Sequence, residues 1–403
     1  MKLNSRGVSH WLMGLALWAC GVAVLAQTQP IRIGLIGPFS GGSADFGNSV
    51  RFGAELAVKE INAVGGYLGR PLELVVRDDK ANPDEGRKVA EDLVLNEKVA
   101  FTIGFCNTGV AMKALDVFQT NKHLLMVPCS QGTAVTTKYP PAESYIFRVA
   151  PKDVLNAEFL VKEIVDRRKL KKVAIFADQT GYGEGGLKDV SAELAKRGLQ
   201  PVHVARFALG TKDLQDAMRQ AKAAGAEAIV CYTVGPEQAA AVKSRQAVGW
   251  NVPFFAPWPL SFRSVLEDAG ADALEGTMMV QTIVQDTYNE RRSSFLARYF
   301  KHSNEKRIGS LMAAAQSYDA VQLMLWAVFQ TRGDVSADAL KLALENLAKP
   351  YYGVVTTYDK PFSREDHDAI SGSMLWLGVW RKGQVAYYYP EDAKSAGVVR
   401  RKK

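Results

Sequence analysis

Short apolar, β-rich runs alternate with helices of about 12–15 residues along most of this 403-residue chain. That rhythm restricts the fold more than any other feature. Ile31–Ile36, Leu72–Arg77, Ala100–Gly104 and Leu124–Val127 read as strands. Ser49–Asn62 (stopped by Gly65-Gly66), Pro83–Glu97 and Gly109–Thr120 read as the helices between them. Such spacing makes βαβ units and a parallel sheet. Most of these strands are continuous apolar runs, as expected where helices cover both faces of a sheet. The helix Ser49–Asn62 carries Phe52 and Leu56 opposite its main apolar face, so cover on both sides is expected.

The rhythm restarts after a break near Tyr145–Pro151. Helix Val154–Asp166 leads to strand Lys172–Ala177 and a glycine-rich turn at Gly181, Gly183, Gly185 and Gly186. Helices Leu187–Arg197, Leu214–Ala224 and Glu237–Val248 then alternate with strands Pro201–Ala208, Ala228–Tyr232 and Val252–Ala256. The remainder is mixed. Leu274–Gln281, Tyr352–Asp359, Leu375–Val379 and Val385–Tyr389 read as strands, the last an edge strand or surface. Asn289–His302, Ala314–Thr331 and Ser336–Leu347 read as helices. In Ala314–Thr331, the residues Tyr318, Val321, Leu325 and Phe329 share one face at i, i+3 and i+4 spacing, which predicts a core stripe. The chain is thus two successive α/β halves.

The front end adds a compartment. Lys2 and Arg6 precede an apolar run of about 16 residues, Trp11–Ala26, and Val24-Leu25-Ala26 places small residues at a peptidase site. This is the pattern of an export signal; the run is shorter than the ~20 apolar residues of a membrane span. Cleavage after Ala26 leaves 377 residues (403 less 26), enough for two domains. Lipid attachment at Cys20 is the minor alternative, with Trp18 making a poor lipobox. Losing Lys2 and Arg6 lowers the formal charge from +8 to +6. No basic patch is interleaved with aromatics, so nucleic acid is not an expected partner. Cys106, Cys129 and Cys231 lie beyond the signal. A Cys106–Cys129 disulfide and a pair of free, partly buried thiols are both compatible with their positions after neighbouring strands.

Ligands of open α/β sheets bind beyond the C-terminal strand ends. Four segments end that way: Gly37–Gly47, Cys106–Gly109, Cys129–Thr133 and Gln179–Gly183. Thr108 is placed as a helix N-cap beside backbone N–H groups that suit a carboxylate or phosphate. The glycines of the first loop lack GxGxxG and GxxxxGK[ST] spacing, and no HExxH or GxSxG occurs. None of the five histidines lies in metal-ligand spacing, and Asp366-His367-Asp368 reads as a polar turn. Binding without catalysis, cofactor or metal is the expectation.

Several stretches resemble the periplasmic solute-binding proteins of ABC importers, in particular the leucine/isoleucine/valine-binding family. They are IRIGLIGPFSGGSADFG at 31–47, GAELAVKEINAVGG at 53–66, Asp78-Asp79 with Pro83, and IG at 103–104. Phe147-Arg148, DQTGYGEG at 178–185, AGADALEGT at 269–277 and FSREDHDAI at 362–370 complete a set that spans nearly the whole mature chain in order. The resemblance implies a type I periplasmic binding fold. It has two lobes, each a parallel sheet flanked by helices, joined by three hinge crossings. One lobe would hold 27–148 plus 280–357, the other 149–279 plus 358–403. It implies a periplasmic, monomeric protein that closes over a small ligand and delivers it to a membrane permease, with no enzyme activity. A sensor of the same fold without a permease is the runner-up.

Site residues follow from the resemblance unevenly. Thr108 stands where the family grips the ligand carboxylate, Cys129-Ser130-Gln131 form the next polar loop, Tyr182 reaches in from the second lobe, and Phe46 bounds the side-chain pocket. Two positions depart. Gly235 stands where amino-acid binders have a tyrosine, and Trp258 where they have the acid that takes the ligand's ammonium. Tryptophan accepts no hydrogen bond. Two expectations follow: a carboxylate ligand without an α-ammonium, aromatic or aliphatic, or an amino acid whose acid partner comes from elsewhere, such as Glu237 or Asp268.

Overall fold

The computed structural model describes residues 29–285, 289–395 and 402. The apolar leader, its cleavage site and Cys20 lie outside the described residues. Two sheets form the body. The first is all parallel and has five strands in the order β2-β1-β3-β4-β5: Leu72–Asp78, Ile31–Gly37, Phe101–Ile103, Leu125–Val127 and Ile146–Arg148. The second has seven in the order β14-β13-β10-β9-β8-β6-β7. Its parallel part is β10 (Met278–Gln281), β9 (Phe254–Ala256), β8 (Ala228–Tyr232), β6 (Val173–Asp178) and β7 (His203–Phe207). β13 (Trp376–Arg381) and β14 (Gln384–Tyr387) extend it in antiparallel fashion. An all-parallel second sheet was expected. A tight Lys382-Gly383 turn returns the chain at once, so no crossover helix is needed.

Burial follows position in the sheet. β6 and β8, flanked on both sides, are buried at every residue. β2 and β7 are edge strands and alternate buried with exposed or half-buried residues. The first lobe is completed from far down the chain. Helix Leu311–Gln330 packs along helix Ala44–Ala63 so closely that a Cβ on Gly53 would sit 2.2 Å from the Ala314 carbonyl oxygen. Ser317 Oγ donates to Val50 O at 2.7 Å across that seam. Phe52 is half-buried and Leu56 buried, so the Ala44–Ala63 helix is covered on both sides. Among the described residues no helix is long and apolar enough to cross a membrane.

Other expectations shift. Gly181–Gly186 is not a turn but the start of helix Gly181–Ala195, capped by Thr180 Oγ1, which accepts from Tyr182 N at 3.2 Å. The glycines there serve close packing: a Cβ on Gly186 would lie 2.0 Å from the Tyr232 ring. Tyr352–Asp359 is not one strand but two short ones, Tyr351–Tyr352 and Thr357–Tyr358. They fold around the buried Asp319 carboxylate, which accepts from Val354 N and Val355 N. Phe329 is 46% exposed and touches Tyr67 edge-on at 5.0 Å, so the stripe of its helix ends before it.

The strand Ile146–Arg148 was not anticipated. At its end Arg148 makes an isolated parallel bridge to Asp368, far along the chain. Arg148 Nε donates to Asp368 Oδ1 at 2.6 Å, Lys152 pairs with Oδ2 at 2.6 Å, and Thr136 Oγ1 bonds both oxygens. Burial pushes the Asp368 carboxyl up, but Arg148 and Lys152 outweigh it and hold the group below the usual range. His367 faces two acceptors, Nδ1 lying 3.0 Å from Ile146 O and Nε2 3.1 Å from Glu345 Oε1. Asp366-His367-Asp368 is therefore more than a turn: its last two residues are buried ties between segments far apart in the chain.

Candidate functional site

The C-terminal ends of β1, β3 and β4 face those of β6, β8 and β9 across a cavity of about 180 Å³. Six of the eight residues singled out above line it: Phe46, Thr108, Cys129 and Gln131 from one lobe, Tyr182 and Trp258 from the other. Ser130 lies one layer behind, fully buried, with its Oγ 3.2 Å from Thr108 Oγ1. Gly235 lies outside the lining. Its φ is +58°, and a Cβ there would be 2.9 Å from the Gly42 carbonyl oxygen of the opposite lobe. Glycine is needed there both for the left-handed backbone and for the approach of the lobes.

The polar end is made by two helix starts. Thr108 is the first residue of its helix rather than the cap; Asn107 holds the cap position and makes no side-chain cap bond. Thr108 Oγ1 instead accepts from Gly132 N at 3.2 Å, tying the helix start to the loop after β4. Helix Gly181–Ala195 points its own N-terminus at the same spot: a Cβ on Gly181 would lie 3.4 Å from Gly109 Cα. Two positive helix ends facing each other repel unless an anion lies between them, where each contributes about 0.3–2 kcal/mol. Nearby Gln131 Nε2 and Tyr182 OH, both buried, have no hydrogen-bond partner among the described residues. Burial raises the Tyr182 phenol well above its ordinary pKa, so it faces the cavity as a neutral hydroxyl. Behind it stands Tyr232, ring centroids 5.5 Å apart.

Asp153 supports this end. Its N–H donates to Gln131 O at 2.8 Å, and Asn156 Nδ2 reaches both Asp153 Oδ1 and Gln131 Oε1. Burial pushes the Asp153 carboxyl up to about 7 against the pull of Arg148.

The apolar end is aromatic. Phe46 and Trp258 line it, ring centroids 5.3 Å apart, and Phe262 packs edge-on against Phe46 at 4.2 Å outside the lining. None of the residues lining the cavity is Asp, Glu, Lys or Arg. Glu237 is buried elsewhere, its Oε1 accepting from Gly210 N at 2.6 Å, and Asp268 is exposed on helix Arg263–Ala269. Neither supplies an acid to the cavity. Cys106 and Cys129 both line it and are free, buried thiols rather than a disulfide. Burial raises both above the ordinary thiol pKa, so they present neutral sulfur.

Reasoning from residues missed the ties that hold the lobes together. Asp45 accepts from Arg263 Nη2 at 2.9 Å and from Ser264 N at 2.8 Å, and Arg263 also pairs with Glu305 at 3.0 Å. Across the cleft, Thr133 Oγ1 donates to Asp189 Oδ2 at 2.6 Å. The cleft is therefore shut. Phe262 was missed too. Asp45 and Arg263 are 218 residues apart in the chain, and nothing local to either signals the pairing.

Comparison with known proteins places this geometry. The family profile described as "Periplasmic binding protein" matches residues 30–384. A Leu/Ile/Val-binding protein homolog of Brucella melitensis is 34% identical over 221 residues. That stretch is 55% of this chain and 58% of the relative, so the match spans little over half of that protein. A Streptococcus pneumoniae branched-chain amino acid transporter substrate-binding protein, solved with isoleucine, superposes with TM-score 0.76 at 23% identity, covering 88% of this chain and 97% of the other. An ABC-transporter solute-binding protein of R. palustris, solved with benzoate, gives TM-score 0.75 at 20% identity, covering 89% and 95%. At these identities the structural likeness is one of fold.

Proposed function

Because this chain belongs to the family of periplasmic binding proteins, we infer that it is the solute-binding component of an ABC importer. It captures a small carboxylate, a branched-chain amino acid or a related acid, between two lobes in the periplasm and hands it to a membrane permease. It is a binding protein and not an enzyme. The lobes we propose are 27–148 with 282–357 and 149–281 with 358–403; the second break lies two residues past the expected 279/280, because β10 runs to Gln281 in the second sheet. Separate membership of β1–β5 and β6–β10 in the two sheets supports that division. We take the working unit to be a monomer, exported by cleavage near Ala26.

Within that class we propose a carboxylate without an α-ammonium, aromatic or compactly aliphatic. The observation that carries this reading is the composition of the cavity: two helix N-termini and two unpartnered donors at one end, the Phe46 and Trp258 rings at the other, and no acid among the described residues of the lining. An ammonium buried there lacks a counter-charge, which costs several kcal/mol, while a cation–π contact with Trp258 returns about 1–2 kcal/mol. Size agrees. A cavity of about 180 Å³ suits a single ring, since an apolar cavity of ~150 Å³ holds benzene. The fold neighbours include an isoleucine complex and a benzoate complex, so fold leaves both open, and the uncharged wall is what favours the acid without an amine. Mass spectrometry of the ligand that copurifies with the native protein tests this. A small acid without an amine is expected; leucine, isoleucine or valine would restore the amino-acid reading.

A further inference from the structure

A second inter-lobe groove, of about 660 Å³, adjoins the latch. Arg263, which holds Asp45 beside Phe46, also lines this groove. The stretch just before helix Leu311–Gln330 supplies Lys306 and Arg307 on one side. The β13–β14 turn and Trp380 form the other. Its volume lies within the range of small-molecule sites, and its walls mix apolar side chains with polar and basic ones. Two features are unusual for plain surface. Gln281, 2% exposed, lines the groove with an Nε2 that has no hydrogen-bond partner among the described residues. Such a buried donor destabilises the fold unless something satisfies it. Lys306 and Arg307 are exposed, and among the described residues the Arg307 side chain makes only a long bond, 3.4 Å, to the Gly383 carbonyl. No Asp or Glu is among the described residues that line the groove.

We propose that this groove is a second ligand site, for a small amphipathic organic anion. Its acid group faces Lys306 and Arg307, its apolar body lies on Trp380 and Leu311, and an oxygen accepts from Gln281 Nε2. Because both lobes line the groove, an occupant favours the shut arrangement. By linkage it tightens the primary ligand and is tightened by it. The site is independent of which acid fills the main cavity.

The test is calorimetric titration of octanoate, with octylammonium as the charge-reversed control. The proteins are the wild type, a Lys306→Glu/Arg307→Glu variant and a Thr108→Val/Gln131→Leu variant. Both changed cations are exposed, so an unchanged melting temperature is expected of the first variant. Octanoate should bind the wild type saturably and octylammonium should not. The charge variant should weaken octanoate at least tenfold, and the main-cavity variant should leave it within about twofold. No octanoate binding to the wild type, or loss in the main-cavity variant with none in the charge variant, would overturn the proposal.

Discussion

The two walls of the cleft differ in what they fix. The first-lobe wall is built from one parallel sheet whose loops are tied to each other, Thr108 to Gly132 and Ser130, with Gln131 held by Asn156 and Asp153 from the other lobe. The second-lobe wall brings Tyr182 as a free donor and Thr180, whose hydroxyl is spent on Asp178, but otherwise offers Trp258, Pro259, Val234 and Leu209. One side grips the group that small carboxylates share. The other chooses among them by shape and by the absence of charge. Such a division lets one fold serve many ligands, since changing the second wall leaves the carboxylate grip intact.

The largest effect should come from breaking the first wall. Thr108→Val with Gln131→Leu removes a hydroxyl and an amide donor from the anion end. Hydrogen bonds to charged groups contribute about 1.5–3 kcal/mol each, so calorimetry should show a carboxylate bound in the main cavity, such as benzoate, weakened about a hundredfold or more. Next comes conversion of the second wall. Trp258→Glu places an acid where the lining has none, and should raise leucine affinity about tenfold while weakening benzoate. The unliganded variant should melt several degrees lower and recover on adding leucine, because the new charge then gains a partner. Equal loss for both ligands would show that Trp258 only packs.

These variants rest on residues readable in the sequence to different degrees. Phe46, Thr108, Gln131, Tyr182 and Trp258 were legible because each sits in a short stretch with a family pattern at a strand end. The helix–strand order was legible because apolar runs and helical faces are local signals. The short strand Ile146–Arg148 was not, having three residues and too little length to show a period. The glycines at 181–186 misled because glycine marks turns and close packing alike; only the Tyr232 ring against Gly186 distinguishes the two. Phe262 and the Asp45–Arg263 tie were invisible because their meaning depends on how two lobes meet, which no local pattern records.

A smaller effect concerns pH. Burial raises the Asp153 carboxyl to about 7, opposed by Arg148 and reinforced by Asp189. Below that value Asp153 is neutral and adds no charge beside the anion end. Above it the group ionises, and a bound carboxylate close by is disfavoured. Affinity should therefore be full below pH 6 and fall several-fold by pH 8, and Asp153→Asn should flatten the profile. The same shift acts on stability. A raised carboxyl binds its proton more tightly in the folded chain, so its contribution declines as pH rises towards 7 and is gone above it.

The most direct measurement is a paired calorimetric titration of the ligand-stripped protein with benzoate and with leucine at one pH. Benzoate binding at micromolar strength or tighter, with leucine at least a hundredfold weaker, is what a cleft with a shared carboxylate grip and an uncharged aromatic wall predicts. Micromolar leucine binding with no measurable binding of benzoate or a related acid would contradict it.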